Sequence, residues 1–207
     1  AFTPVTGVSG TAFVTVTVND GQSQNNISSR TFTIAVNDVN DPPTLNPLGN
    51  LTLNEDAATQ TVNLAGISSG STNEAQTLTV TATSSNPGLI PNPTVSYTSP
   101  NTSGSLAFTP VANANGSATI TVTVNDGQAI SNTVTRTFSV TINAVNDVPT
   151  LNALNNLTFN EDAAAQTVNL SGIGTGATNE TQTLSVTATS SNPGLIPNPT
   201  VSYTSPN

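Results

Sequence analysis

Two acids of this sequence stand opposite its only two cations if its hairpins close in the simplest register. Should Val124 face Phe138, Asp126 of the "NDG" turn at Asn125–Gly127 faces Arg136, and Asp20 and Arg30 repeat the arrangement. The turn also invites a metal ion, but facing opposite charges need no further ligand. The expectation is therefore a cross-strand ion pair of about 0.2–1 kcal/mol that fixes register. Other chemistry is thin. The chain has no His or Cys, so it offers neither a nucleophilic relay nor a zinc site. Glu55 and Asp56 are adjacent, and on an extended segment their side chains diverge rather than flank a substrate as acid and base. No Gly-rich loop opens a helix to cradle phosphate. Tyr97 and Tyr203 could stack on a sugar, but a lone Tyr in a strand pattern is read as packed. No enzyme is expected.

Composition narrows the class further. With Arg30 and Arg136 against eleven acids, the net charge is −9, which leaves no electrostatic footprint for nucleic acid. The absence of Cys rules out disulfides, and the absence of Lys rules out Lys-based isopeptide links. No apolar run of about 18 residues is present, so no membrane insertion of this segment is expected. An acidic, thiol-free, Thr-rich chain suits an extracellular or cell-surface setting. N-x-S/T sequons occur from Asn26 to Asn179, but a chain this rich in Asn, Ser and Thr produces them by chance.

The elements that must position any site are set by an internal repeat. "FTPV" begins at Phe2 and Phe108, "VTVNDGQ" at Val16 and Val122, "NEDAA" at Asn54 and Asn160, and "GLIPNP" at Gly88 and Gly194, always 106 residues apart. That period is the size of a domain, well above the 20–50 residues of solenoid repeats. The expected units are residues 42–147 as a complete sandwich, 1–41 as the C-terminal half of one and 148–207 as the N-terminal half of another. Residues 1–41 of a neighbouring copy would complete that last half. Two periods exceed the chain by five residues, matching Thr102–Leu106. The halves are expected to join head to tail, either between separate copies or along one continuous chain.

Within one period the pattern is all strand. Ala118, Ile120, Val122 and Val124 alternate with Thr119, Thr121 and Thr123, the period of two of a strand with one buried face. Leu78, Val80 and Ala82 follow the same rule, as do Phe138, Val140 and Ile142. Thr on the outer face adds β-propensity without charge. Shorter strands are expected at Leu51–Leu53, Val62–Ile67, Val95–Tyr97 and Leu106–Phe108, between Gly, Pro and Asn turns. About seven strands in roughly 100 residues is the profile of an immunoglobulin-like sandwich.

The linkers "VNDVNDPP" (Val36–Pro43) and "INAVNDVP" (Ile142–Pro149) resemble the junction motif of cadherins. "NEDAATQTVNLAGI" resembles their first strand with its calcium-binding glutamate. Together with "VTVNDG", the pattern resembles the bacterial cadherin-like and immunoglobulin-like tandem repeats of large extracellular surface proteins. What the resemblance implies is an all-β chain of tandem sandwiches with calcium at the junctions. The glutamate falls on Glu55 and Glu161, each followed by an acid, Asp56 and Asp162; the linker groups fall on Asp38, Asn40 and Asp41 and on Asn146 and Asp147. Glu180 belongs to a loop expected to face the second junction. The pattern departs from cadherins in lacking the acidic motif between the middle strands and the paired-Asp motif of the following domain. Asp38 also has Ala144 as its counterpart. Calcium accepts six to eight oxygen ligands of this kind; the competing reading is that Asp and Asn merely cap turns before proline.

The function expected is a structural repeat of an extracellular filament or surface fibre whose partner is itself, assembled head to tail. The alternative is a stalk segment of an adhesin whose carbohydrate or protein ligand binds elsewhere.

Overall fold

The computed structural model describes residues 1–205, and every strand in it lies before Ala144. A hairpin comes first, β1 (Gly10–Asn19) with β2 (Ile27–Val36). Seven further strands follow: β3 (Leu51–Asn54), β4 (Gln60–Ala65), β5 (Thr79–Ser84), β6 (Thr94–Ser96), β7 (Ser103–Phe108), β8 (Gly116–Asn125) and β9 (Thr133–Asn143). They form a four-stranded sheet, β3-β9-β8-β5, and a three-stranded sheet, β4-β7-β6. All pairs are antiparallel except β3 with β9.

The alternation seen in the sequence decides the inner face. Ala118, Ile120, Val122 and Val124 on β8 and Phe138, Val140 and Ile142 on β9 are buried against Leu64, Leu106 and Phe108 of the other sheet. Their Thr neighbours face out, and their backbones are answered by β5 and β3. Tyr97 packs beside this core, where burial pushes its phenol above the ordinary range.

The expected ion pairs do not form. Val124 faces Val134 and Phe138 faces Ile120, which puts Arg136 across from Val122. The loop explains the difference. Asp126 folds inward, its N–H donating to Asn132 O at 3.1 Å and its Oδ1 accepting from Gln128 N–H at 2.9 Å. It closes a wide loop instead of extending the ladder. Arg136 Nε donates to Leu45 O at 2.9 Å and so ties β9 to the strand-like segment before β3. In the hairpin Arg30 likewise lies across from Val16.

Hairpin β1–β2 keeps the register of β8–β9: Gly10 pairs with Val36 as Gly116 pairs with Ile142. Among the described residues it pairs with nothing else. The core-face residues are therefore uncovered: Val16 is 54% exposed where Val122 is 0%, and Phe32 48% where Phe138 is 2%.

Residues 148–205 repeat the sequence of 42–99 with substitutions at eleven positions, yet their only ladder contact among the described residues is the single bridge Thr150–Gly174. Their loops match nonetheless. Ser190 N–H donates to Asn198 Oδ1 at 2.9 Å as Ser84 N–H donates to Asn92 Oδ1 at 2.8 Å, and Leu184 N–H donates to Ser205 Oγ as Leu78 N–H does to Ser99 Oγ, both at 3.0 Å. Local bonds are made and ladder bonds are not, because the strands equivalent to β8 and β9 do not lie beside this segment.

This contrast yields a prediction. In dilute protein, Phe138→Ala should cost about 3–5 kcal/mol of stability, whereas Phe32→Ala, at the equivalent but uncovered position, should cost less than about 1 kcal/mol. Urea unfolding of the two variants measures the difference, and equal losses would show that the hairpin is already buried.

Candidate functional site at the linkers

The parallel pairing of β3 with β9 carries the end of β3 to the start of the second linker. Glu55 N–H donates to Asn143 O at 2.9 Å, continuing the ladder, and the side chain turns toward the linker. Its Oε1 accepts from Val145 N–H at 2.5 Å and its Oε2 from Asn179 Nδ2 at 2.7 Å. Glu55 is only 5% exposed. A buried carboxylate held by two donors thus joins β3, the linker and the segment beyond it.

The linker makes its own bonds to that segment. Asp147 N–H donates to Glu180 Oε1 at 2.7 Å, Gln182 Nε2 to Asn146 Oδ1 at 3.0 Å, and Asn146 Nδ2 to Asp147 O at 2.8 Å. The first linker repeats all three. Asp41 N–H donates to Glu74 Oε1 at 2.8 Å, Gln76 Nε2 to Asn40 Oδ1 at 2.9 Å, and Asn40 Nδ2 to Asp41 O at 3.2 Å. The chain crosses closely here. Gly70 (φ 108°) and Gly176 (φ 105°) lie against Pro42 O and Val148 O, where a Cβ would collide.

The first linker also meets loops that the second does not. Asn40 Nδ2 reaches Asp126 Oδ2 and Ile130 O, each at 3.0 Å, and Asp38 Oδ1 accepts from Asn73 Nδ2 at 2.6 Å. Asp126 is 2% exposed, and Asn40 supplies a donor its buried carboxylate requires.

At the second linker Asp147 Oδ2, Glu180 Oε2 and Asn179 Oδ1 are buried without a partner; at the first, Glu74 Oε2 and Gln76 Oε1 are. Burial, then the charges of Glu180, Asp56 and Glu55, push the Asp147 carboxyl above the ordinary aspartate range. A cleft of about 320 Å3 opens between Ala144–Asn146 and Asn179–Gln182. Oxygens without hydrogen-bond donors, crowded by like charge, fit a hard cation. Among the described residues no three acidic side chains converge closely enough to hold a metal alone. Asn179 and main-chain oxygens would have to contribute, as calcium permits.

Of the residues expected at the junctions, Glu55, Asn146, Asp147 and Glu180 come together at the second, and Asp38, Asn40 and Asp41 line the first. Asp56 lies near enough for its charge to reach Asp147, but its Oδ1 accepts from Asn113 N–H at 2.9 Å, inside the β7–β8 loop. Glu161 and Asp162 are exposed and contact neither linker through a hydrogen bond. Sequence reasoning missed Glu74, Gln76, Asn73, Asn179 and Gln182. The repeat held the signal for Glu74, which stands 106 residues before Glu180.

Two facing sheets closed by a parallel first and last strand define an immunoglobulin-like module. Residues 40–141 match the family model of the bacterial Ig domain. No curated protein matches the sequence. Among solved structures, the chain is similar to the human desmocollin-1 ectodomain at 20% identity and TM-score 0.45, over 68% of this chain and 29% of that one. It is similar to mouse clustered protocadherin PcdhgC3 EC1-3 at 18% identity and TM-score 0.42, over 70% and 46%. For domains 4 and 5 of the S-layer protein SbsC the values are 20%, 0.36, 65% and 59%. The chain thus spans less than two thirds of each of these structures.

The crowding at Asp147 has a pH consequence. Its folded pKa lies above the unfolded value, so the folded state holds the proton more tightly. That contribution is full below the unfolded pKa and is lost as pH rises through the folded one. In chelator, Glu180→Gln removes a charge while keeping an acceptor for Asp147 N–H. The carboxyl carbon-13 titration of Asp147 should then shift toward lower pH; an unmoved midpoint would mean that the Glu180 charge does not reach it.

Proposed function

We propose that this chain is a structural repeat of an extracellular surface fibre or stalk, whose sandwiches serve as spacers and whose linkers set the angle between them. The observation that carries this reading is the matched trio of hydrogen bonds at the two linkers, Asp41–Glu74, Asn40–Gln76 and Asn40–Asp41 against Asp147–Glu180, Asn146–Gln182 and Asn146–Asp147. Matched contacts seat each linker in the same way on the segment that follows it, which a regular shaft needs. The bacterial Ig match over residues 40–141 supports the same class. Among the described residues no helix is long and apolar enough to cross a membrane.

In this proposal calcium stiffens the linkers. At the second, Glu55, Asp147, Glu180 and the Asn179 amide oxygen are the groups that would hold it, with the unpartnered Asp147 Oδ2, Glu180 Oε2 and Asn179 Oδ1 as the supporting observation. The cation would supply positive charge where carboxylates now repel one another. The chain's own part is to keep those oxygens in place through Val145 N–H and Asp147 N–H.

Calorimetric calcium titration and solution X-ray scattering test this together. Calcium should bind and narrow the distribution of particle dimensions, and the Glu55→Gln, Asp147→Asn double variant should lose both effects. Absence of calcium uptake by the unsubstituted chain would remove the metal from the proposal.

A further inference from the structure

The β7–β8 loop carries the one asparagine of the chain that is followed by glycine, Asn115–Gly116. Asparagine is a thermolabile residue, because the main-chain nitrogen of the next residue can attack its side-chain carbonyl carbon. That next residue decides whether it does. Asn46, Asn86, Asn92, Asn192 and Asn198 precede proline, which has no N–H to act. Gly116 has no Cβ to obstruct the approach, and one built there would meet only Leu89 Cδ2, at 3.7 Å.

The fold presents this pair beside the second linker. Val111 N–H donates to Leu89 O and Asn113 N–H to Asp56 Oδ1, both at 2.9 Å, which fixes the loop while Asn115 and Gly116 stay exposed to water. Asn115 Oδ1 accepts from Asn179 Nδ2 at 3.3 Å, and among the described residues Asn115 Nδ2 donates to nothing. An N–H on the carbonyl oxygen stabilises the negative charge that gathers there under attack. The unheld amide nitrogen is the group that must leave.

We propose that Asn115 is a site of spontaneous deamidation, promoted by Asn179, which turns it into a carboxylate at the second linker. The Gly116 nitrogen bonds to Asn115 Cγ, the Cγ–Nδ2 bond breaks, and the Gly116 proton departs with that nitrogen as ammonia. Water then opens the cyclic imide. Addition at Cγ gives aspartate; addition at the main-chain carbonyl carbon of Asn115 gives isoaspartate, in which the chain runs through the side chain. Gly116 is the end rung of the β8–β9 ladder, opposite Ile142, so fraying of that terminus is enough to free its nitrogen. Asn179 lies beyond the linker, so the reaction runs faster when the following segment is seated. The new charge arises against Asn179, whose Nδ2 also donates to Glu55 Oε2 at 2.7 Å. The preceding repeat has Ser9 at this place, which cannot react in this way. The site needs no metal, and it adds to the structural-repeat reading a charge that the linker gains with age.

Incubating the full chain in warm, mildly alkaline buffer and mapping its peptides by mass tests the proposal. The mass gain of water replacing ammonia should appear first in the β7–β8 loop, with isoaspartate in that peptide, and Asn115→Ser should abolish it. Asn179→Ala should slow the conversion about threefold or more in the folded chain and leave it unchanged in urea, where no donor is positioned. Conversion spread evenly over the asparagines, or an intact Asn115 after other sites have reacted, would overturn the site. Equal folded-state rates for Asn179→Ala and the unsubstituted chain would overturn the part given to Asn179. Calcium titration of the same samples keeps the two proposals apart. An unreactive Asn115 in a chain that takes up calcium removes only this inference; conversion at Asn115 in a chain that takes up none leaves it standing.

Discussion

A β-strand carries main-chain donors and acceptors that only another strand, or water, can answer, and this chain is organised by where the answer is available. Leu51–Asn54 form a strand because β9 lies beside them; Leu157–Asn160, nearly the same sequence, do not, because no equivalent of β9 is adjacent. Propensity is equal in the two places, so pairing and burial decide. The same rule accounts for the hairpin, which satisfies itself along one edge and leaves its core face open.

The linkers depend on that sandwich. Because β3 runs parallel to β9, both end at one pole, and Glu55 emerges where the chain leaves β9. The loops at the opposite pole, β4–β5 with Glu74 and Gln76 and β8–β9 with Asp126, receive the incoming linker. The sandwich built from β3 to β9 thus has an entering face rich in side-chain acceptors and a leaving face with a buried glutamate, Glu55. Packing the following segment against that face buries Asp147 and gathers like charges, which raises its carboxyl and leaves oxygens without donors. Such an arrangement is costly without a counter-charge, and that is the physical reason for placing a cation there in the proposal.

Much of this was legible in the residues. Alternation named the buried face of β8 and β9 residue by residue, the short strands fell within a few residues of their expected places, and the match to a bacterial Ig domain agrees with the linker and "NEDAA" motifs. The expected ion pairs were not there to be read. Their register assumed a tight turn, whereas Asp126, like Asp20 in the first hairpin, closes a wide loop through its N–H to Asn132 O or Asn26 O and its Oδ1 to Gln128 or Gln22 N–H. Glu74 and Gln76 escaped notice because nothing local marks them; they matter only because the loop that holds them folds over the linker.

The sequence by itself determined the period, the strands with their inner and outer faces, and the acids and amides concentrated at two linkers, since all of these are short-range patterns of side-chain type. Only the tertiary structure decided which carboxylate meets which amide, and which apolar faces remain uncovered. Those outcomes depend on the relative position of strands far apart in the chain, set by the closing of two sheets around one core.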